Sequence, residues 1–158
     1  MTEDVSRLVN SVAELLQDVT VNLEGLTFYK VAAELRDDIE VDDPEIGDVL
    51  PSYSLRLLHE GSEIGVRLAV HLTTDIGEVA IDVAANYVTP VPIDLPSAVH
   101  LEFANDVAIM ALIPYVRESV WSITQRVFGQ ALVMPVMQRG EIAFTPDMKS
   151  TGAQVDVE

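Results

Sequence analysis

Three histidines are the residues of this chain best suited to moving a proton or holding a metal near neutral pH. His59, His71 and His100 fall in a turn, a strand and the start of a helix, and no HxxxH, HxH or HExxH spacing joins them. Each therefore reads as a lone polar residue. Glu102 and Asp106, on the apolar first half of a helix, are the carboxylates best placed for a general base, but a single carboxylate without a partner is a weak signal. Seven acids crowd the twelve residues from Asp37 to Asp48, without the alternate-position spacing, central Gly and closing Glu of a calcium loop. There is no GxSxG, P-loop or GxGxxG, and with no Cys a disulfide or a thiolate metal site is impossible. No catalytic residue, metal or cofactor is expected, and the chain does not read as an enzyme.

The element that organises these residues runs from Ser97 to Gly129. Leu101, Ala104, Ala108, Leu112, Val116, Val120, Ile123 and Val127 recur at steps of three or four, which puts them on one face of a long helix over 97–128. The run VAIMALI, residues 107–113, is apolar all round and needs cover on nearly every side, while Glu118, Ser122, Gln125 and Arg126 give the second half a wet face. Ser97 is placed to cap the start and Gly129 to end the helix. Pro114 removes one amide, so a kink there is expected, or two helices meeting at Ile113; Arg117 beside Glu118 could form an ion pair at that point.

The sheet to carry this helix is legible upstream. Val5, Leu8, Val12, Leu15 and Val19 form a narrow stripe that predicts an extra amphipathic helix over 4–19. Strand patterning then covers 20–89. Leu26 and Phe28 lie on one phase, and Tyr29, Val31, Ala33 and Leu35 on the other, so a bulge is expected near Phe28. The acidic segment 37–52 is a crossover loop. Ile39, Val41, Ile46, Val49 and Leu50 are threaded between its acids, which suggests that it lies on an apolar surface. Clean alternation through Tyr53, Leu55 and Leu57, then Val66 to Leu72, then Val79 to Tyr87, with short Gly-containing turns between, predicts a three-stranded antiparallel meander. The fold class is α+β: one domain over 1–158, a four-stranded antiparallel sheet packed against a long Pro-containing helix.

Pro90, Pro92 and Pro96 stiffen the link from sheet to helix. Residues 130–146 form an apolar strap cut by Pro135, Gly140 and Pro146, and 147–158 read as a frayed tail. Phe128, Leu132, Val133, Met134, Met137, Ile142 and Phe144 lie in or beside the strap, where Met and Phe can repack against many sequences. With the crossover residues as the facing wall, they are the candidate groove for an extended polypeptide. The alternative is that both segments seal the core.

Nine basic against 26 acidic residues give a formal charge of −17, which disfavours a nucleic-acid backbone or an anionic membrane as partner and permits a basic protein. That charge coexists with 49% hydrophobic residues, so apolar surface is expected to remain exposed. The start MTEDVSRLV has no charged-then-apolar leader and no apolar run approaches the roughly 20 residues of a membrane span, so the expected location is cytoplasmic.

Residues 112–126, LIPYVRESVWSITQR, resemble the SecB family of export chaperones, whose long helix carries a Leu-Phe-Pro-Tyr-Ala-Arg-Glu segment. Leu112, Pro114, Tyr115, Arg117 and Glu118 match it, with Ile113 in place of Phe. The order of four antiparallel strands, crossover, Pro-containing helix and apolar strap is similar across most of the chain. The Gly-x-Phe-Pro step that ends the family's helix is blurred to Gly129-Gln130-Ala131-Leu132, and the family's second helix has no counterpart after Gly140. The added N-terminal helix is similar to SecB-like chaperones that serve toxin-antitoxin systems. The resemblance implies a homotetrameric holdase, a dimer of dimers, that binds unfolded polypeptides in surface grooves without ATP or metal. Its clients would be secretory precursors or an antitoxin, with the export motor ATPase as a further partner. A hot-dog thioesterase or hydratase with Glu102 or Asp106 as base, and an adapter for one folded partner, are the alternatives.

Overall fold

The computed structural model describes residues 5–39, 44–146 and 153–157, the last by its backbone pairing. In chain order the elements are β1 (Arg7–Leu8), a short helix α1 (12–19), β2 (Asn22–Leu35), β3 (Leu50–Glu60), β4 (Glu63–Thr73), β5 (Gly77–Val88), β6 (Ile93–Asp94), a long helix α2 (Ser97–Val127) and β7 (Ala153–Val157). The main sheet has the order β2-β5-β4-β3-β7, and β1 pairs with β6 in a separate parallel ribbon. β2 to β5 form the expected four-stranded antiparallel sheet.

Alternation decides which side of the sheet is dry. Leu55 and Leu57 of β3, Ile64, Val66, Leu68, Val70 and Leu72 of β4, and Val79, Ile81, Val83, Ala85 and Tyr87 of β5 are all buried, and α2 packs against β5, β2 and β4. The interleaved Ser54, Arg56, Arg67, Ala69 and Asp82 form the wet face, where Arg67 donates to both carboxylate oxygens of Asp82 at 2.8 and 2.7 Å. The phase switch in β2 is a bulge at Tyr29, between the pairs Phe28↔Val83 and Lys30↔Asp82. The bulge turns Tyr29 away from the dry set, with its ring 3.7 Å below the Arg67 guanidinium.

Three expectations need correction. The N-terminal helix does not begin at residue 4. Ser11 accepts from the Glu14 amide and the Glu14 carboxylate accepts from the Asn10 amide, so a near-reciprocal cap starts the helix at Val12 and leaves Arg7–Leu8 free to pair with Ile93–Asp94. Ser97 is the first helical residue and makes no side-chain cap; Pro96, one residue earlier, takes the cap position and accepts from the His100 amide. The single long helix expected through Pro114 is found, without a second helix starting at Ile113. It carries an irregularity earlier, at Ala104–Ala108, where the turn widens so that the Ile109 amide reaches back to the Ala104 carbonyl.

The third is the tail. Residues 153–157 are not frayed but add a fifth strand, parallel to β3, from Tyr53↔Ala153 to Leu57↔Val157. Residues 147–152 and 158 lie outside the described residues. By length and composition alone α2 could cross a bilayer, which the short VAIMALI run did not suggest. Here 56% of its most apolar window is buried in the protein, so the sheet and strap account for its apolarity.

Candidate functional site

Helix α2 runs over β5 and along β2 but leaves some of the β2 side chains on the dry face open, although Leu26 and Ala33 pack against the core. Phe28 and Val31 are register partners of the buried Val83 and Ile81 and so share the dry face, yet they are 44% and 43% exposed. Between them and the helix residues Ser119, Ser122, Ile123 and Arg126 runs an open groove of about 310 Å³. Trp121 and Tyr115 are also half-exposed on the helix, and Leu23 and Leu35 extend the apolar row along β2. Among the described residues β2 is an edge strand of fourteen residues with β5 on one side only.

The strap has a different environment. Met134, Ile142, Phe144 and the adjoining Phe128 are buried in the core, so in the folded chain these four do not line an open groove. This corrects their assignment to an accessible wall. The cause is a set of polar ties from the helix. Asn105 donates to the Phe144 carbonyl at 2.8 Å and accepts from its amide at 2.9 Å. The buried Thr124 hydroxyl accepts from the Leu132 amide at 2.8 Å while donating to the Val120 carbonyl at 2.7 Å. Arg117 donates from Nε to the Met134 carbonyl at 3.3 Å. That arginine of the LIPYVRE motif therefore binds strap backbone, in place of the expected role beside Glu118.

Leu132 and Met137 are half-buried against the core, and Val133 is 68% exposed. On the crossover Ile39, Ile46 and Val49 are half-buried against the same core and Leu50 is 68% exposed; Val41 lies outside the described residues. Strap and crossover do meet, since the Gln130 side-chain amide donates to the Pro44 carbonyl. They form a rim that is apolar and partly open, over a sealed floor. Of the motif residues, Leu112 is in the core, whereas Pro114, Tyr115 and Glu118 are exposed.

No buried carboxylate is found among the described residues; Glu102 is exposed and Asp106 half-buried. No three His, Asp or Glu side chains among them converge as a metal site would require. Among the described residues Tyr87 and His100 are buried titratable groups, and His100 is the one whose ordinary pKa lies near neutral pH. Its Nε2 donates to the Gly65 carbonyl at 3.1 Å, with the His59 ring edge-on at 6.5 Å. Burial pushes its pKa down to about 4, opposed by the hydrogen bond to Gly65 and assisted by His59. An unfolded His titrates near 6.5, so the unfolded chain binds more protons below that pH. The contribution of His100 is present above about pH 6.5 and is lost as pH falls toward 4, reaching on the order of 3 kcal/mol. Urea unfolding at pH 7 and pH 5 is expected to differ by about 2 kcal/mol more in the native chain than in His100→Gln. Equal pH dependence in the two proteins would refute the assignment.

The exposed dry face of β2, the Asn105 tie and the start of α1 were not read from the sequence. Only the last had a signal, the S-x-x-E spacing of Ser11 and Glu14.

No protein-family model and no curated protein matches this sequence. Among solved structures, the chain is similar to the SecB-like chaperone Rv1957 of Mycobacterium tuberculosis, solved in complex with a ChAD peptide from the Rv1956 HigA1 antitoxin. The TM-score is 0.69 at 19% sequence identity, covering 81% of this chain and 97% of that one. A protein of unknown function from Streptococcus agalactiae matches at a TM-score of 0.45 and 9% identity, over 75% of this chain and 98% of that one. The fold is SecB-like.

Proposed function

We propose that this chain is an ATP-independent holdase that keeps non-native polypeptides soluble on apolar surface. The single observation that carries the reading is the partly open apolar rim of strap and crossover, where Val133 and Leu50 are each 68% exposed, in a protein that is otherwise strongly acidic. The SecB-like fold supports the same function, and the similar structure solved with an antitoxin peptide supports an antitoxin as one client class beside secretory precursors.

The unpaired edge and dry face of β2, with Phe28 and Val31, serve self-assembly into a homotetramer, because a fourteen-residue apolar edge left bare invites uncontrolled pairing. The rim of Ile39, Ile46, Val49, Leu50, Leu132, Val133 and Met137 serves the client. In the cytoplasm, the charge of −17 keeps such an oligomer from aggregating and draws basic clients by an attraction that salt screens.

The deciding experiment is a panel of unrelated chemically unfolded proteins, scored for suppression of aggregation with and without ATP. Suppression of several clients, unaffected by ATP and weaker for basic clients at moderate than at low salt, is the expected result. Binding of one folded partner at fixed stoichiometry, with no effect on the panel, would replace the holdase by a dedicated adapter. A monomer by light scattering at micromolar concentration would remove the role given to β2.

A further inference from the structure

At the end of the sheet opposite β2, the edge of β3 is covered by the chain itself. β3 spans eleven residues, and β7 pairs with only five of them, Tyr53 to Leu57. Among the described residues β7 is also the one strand that runs parallel to its neighbour in this sheet. Parallel pairing is slightly weaker per residue than antiparallel, and a short edge strand opens at a small fraction of the global unfolding free energy.

The register describes what this edge accepts. Ala153, Val155 and Val157 fall opposite Tyr53, Leu55 and Leu57, and Gln154 and Asp156 opposite Ser54 and Arg56. Leu55 and Leu57 are buried, Ser54 and Arg56 half-exposed on the wet side. An apolar-polar alternation with a polar or acidic residue beside Arg56 therefore satisfies the site. Main-chain hydrogen bonds supply affinity that depends little on sequence, and alternation supplies the selectivity. Pro51, near the start of the strand, offers no amide donor and limits how far an added strand can extend in that direction.

We propose that the β3 edge from Tyr53 to Leu57 is a docking edge for an extended client segment of alternating apolar residues, and that β7 occupies it in competition with the client. This rests on the chaperone reading above. The tail covers an edge that would otherwise be an aggregation hazard and gives it up to a segment of the same pattern. Because β2 lies at the far side of the sheet, assembly through β2 leaves this edge accessible.

The test uses the full chain. Val155→Pro removes an amide and fixes φ in the middle of β7, weakening its pairing. The chain has no native Cys, so Ser54→Cys with Gln154→Cys creates one disulfide across register partners. Neighbouring strands lie about 4.8 Å apart, within the Cα range a disulfide spans. The probes are reduced, carboxymethylated α-lactalbumin and a synthetic peptide of the terminal sequence TGAQVDVE.

Val155→Pro is expected to bind both probes about tenfold tighter, the factor removed when a competent state populated roughly one-tenth of the time becomes dominant. The oxidised cysteine pair is expected to lose that binding and regain it on reduction, and exchange of the Tyr53–Leu57 amides should speed up in Val155→Pro and slow again with peptide. Equal, measurable α-lactalbumin capture by native, Val155→Pro and oxidised proteins would overturn the proposal while leaving the holdase intact. No capture by any of them would remove the holdase reading, and this proposal with it. If Val155→Pro fails to fold, the oxidised and reduced states of the cysteine pair still decide: equal capture by the two overturns the proposal.

Discussion

Phe144→Ala lowers the stability of the fold by roughly 3–5 kcal/mol and Met134→Ala by about 2–5 kcal/mol, while Val133→Ser and Leu50→Ser stay within about 0.5 kcal/mol of the native chain. The four residues belong to the strap and crossover and look alike in sequence. Phe144 is 2% and Met134 5% exposed, whereas Val133 and Leu50 are each 68% exposed. Truncating the first pair leaves cavities in a packed interior; truncating the second leaves water where water already was. Urea unfolding midpoints measure the difference, and an unchanged midpoint for Phe144→Ala would show that the strap does not belong to the core. Under the holdase proposal, the Val133→Ser, Leu50→Ser double variant also suppresses client aggregation several-fold less well while remaining folded. Undiminished suppression would place the client elsewhere.

Asn105→Leu is expected to cost roughly 2–6 kcal/mol, because two buried main-chain groups of Phe144 lose their partners and each such loss costs about 1–3 kcal/mol. Asn105 meets that backbone with an amide oxygen and an amide nitrogen at once. Asn105→Asp keeps the acceptor for the Phe144 amide but sets a carboxylate oxygen against the Phe144 carbonyl. It should therefore be destabilised at pH 7 and partly recover near pH 4, where the acid can donate. Hydrogen exchange of the Phe144 amide gives a direct readout. Native-like protection in Asn105→Leu would mean that packing alone holds the strap. The widened turn at Ala104–Ala108 contains Asn105, so this irregular stretch of α2 is also where the strap is fastened.

The strands were legible because one face of the sheet is dry and the other wet. Leu55 and Leu57, or Val66, Leu68 and Val70, can alternate with polar residues for no other local reason. The bulge at Tyr29 was visible as a change of phase, although not that Tyr29 would leave the dry set for the Arg67 guanidinium. The N-terminal helix was placed too early because Val5 and Leu8 happen to fit a helical stripe, and the cap at Ser11 outweighs that fit. The strap had no readable period: Pro135, Gly140 and Pro146 interrupt any helix or strand that could have assigned Met134 inward and Val133 outward.

Sequence alone determined the dry and wet faces of the strands, the long helix through Pro114 and the acidic surface, since these follow from local periodicity and net charge. Tertiary structure alone decided that Phe28 and Val31 remain open on a face that buries their partners Val83 and Ile81, that Asn105 and Thr124 draw the strap onto α2, and that the last strand lies on β3. Each of these depends on which distant segment lies alongside, and a side chain's own neighbours in sequence carry no record of what covers it.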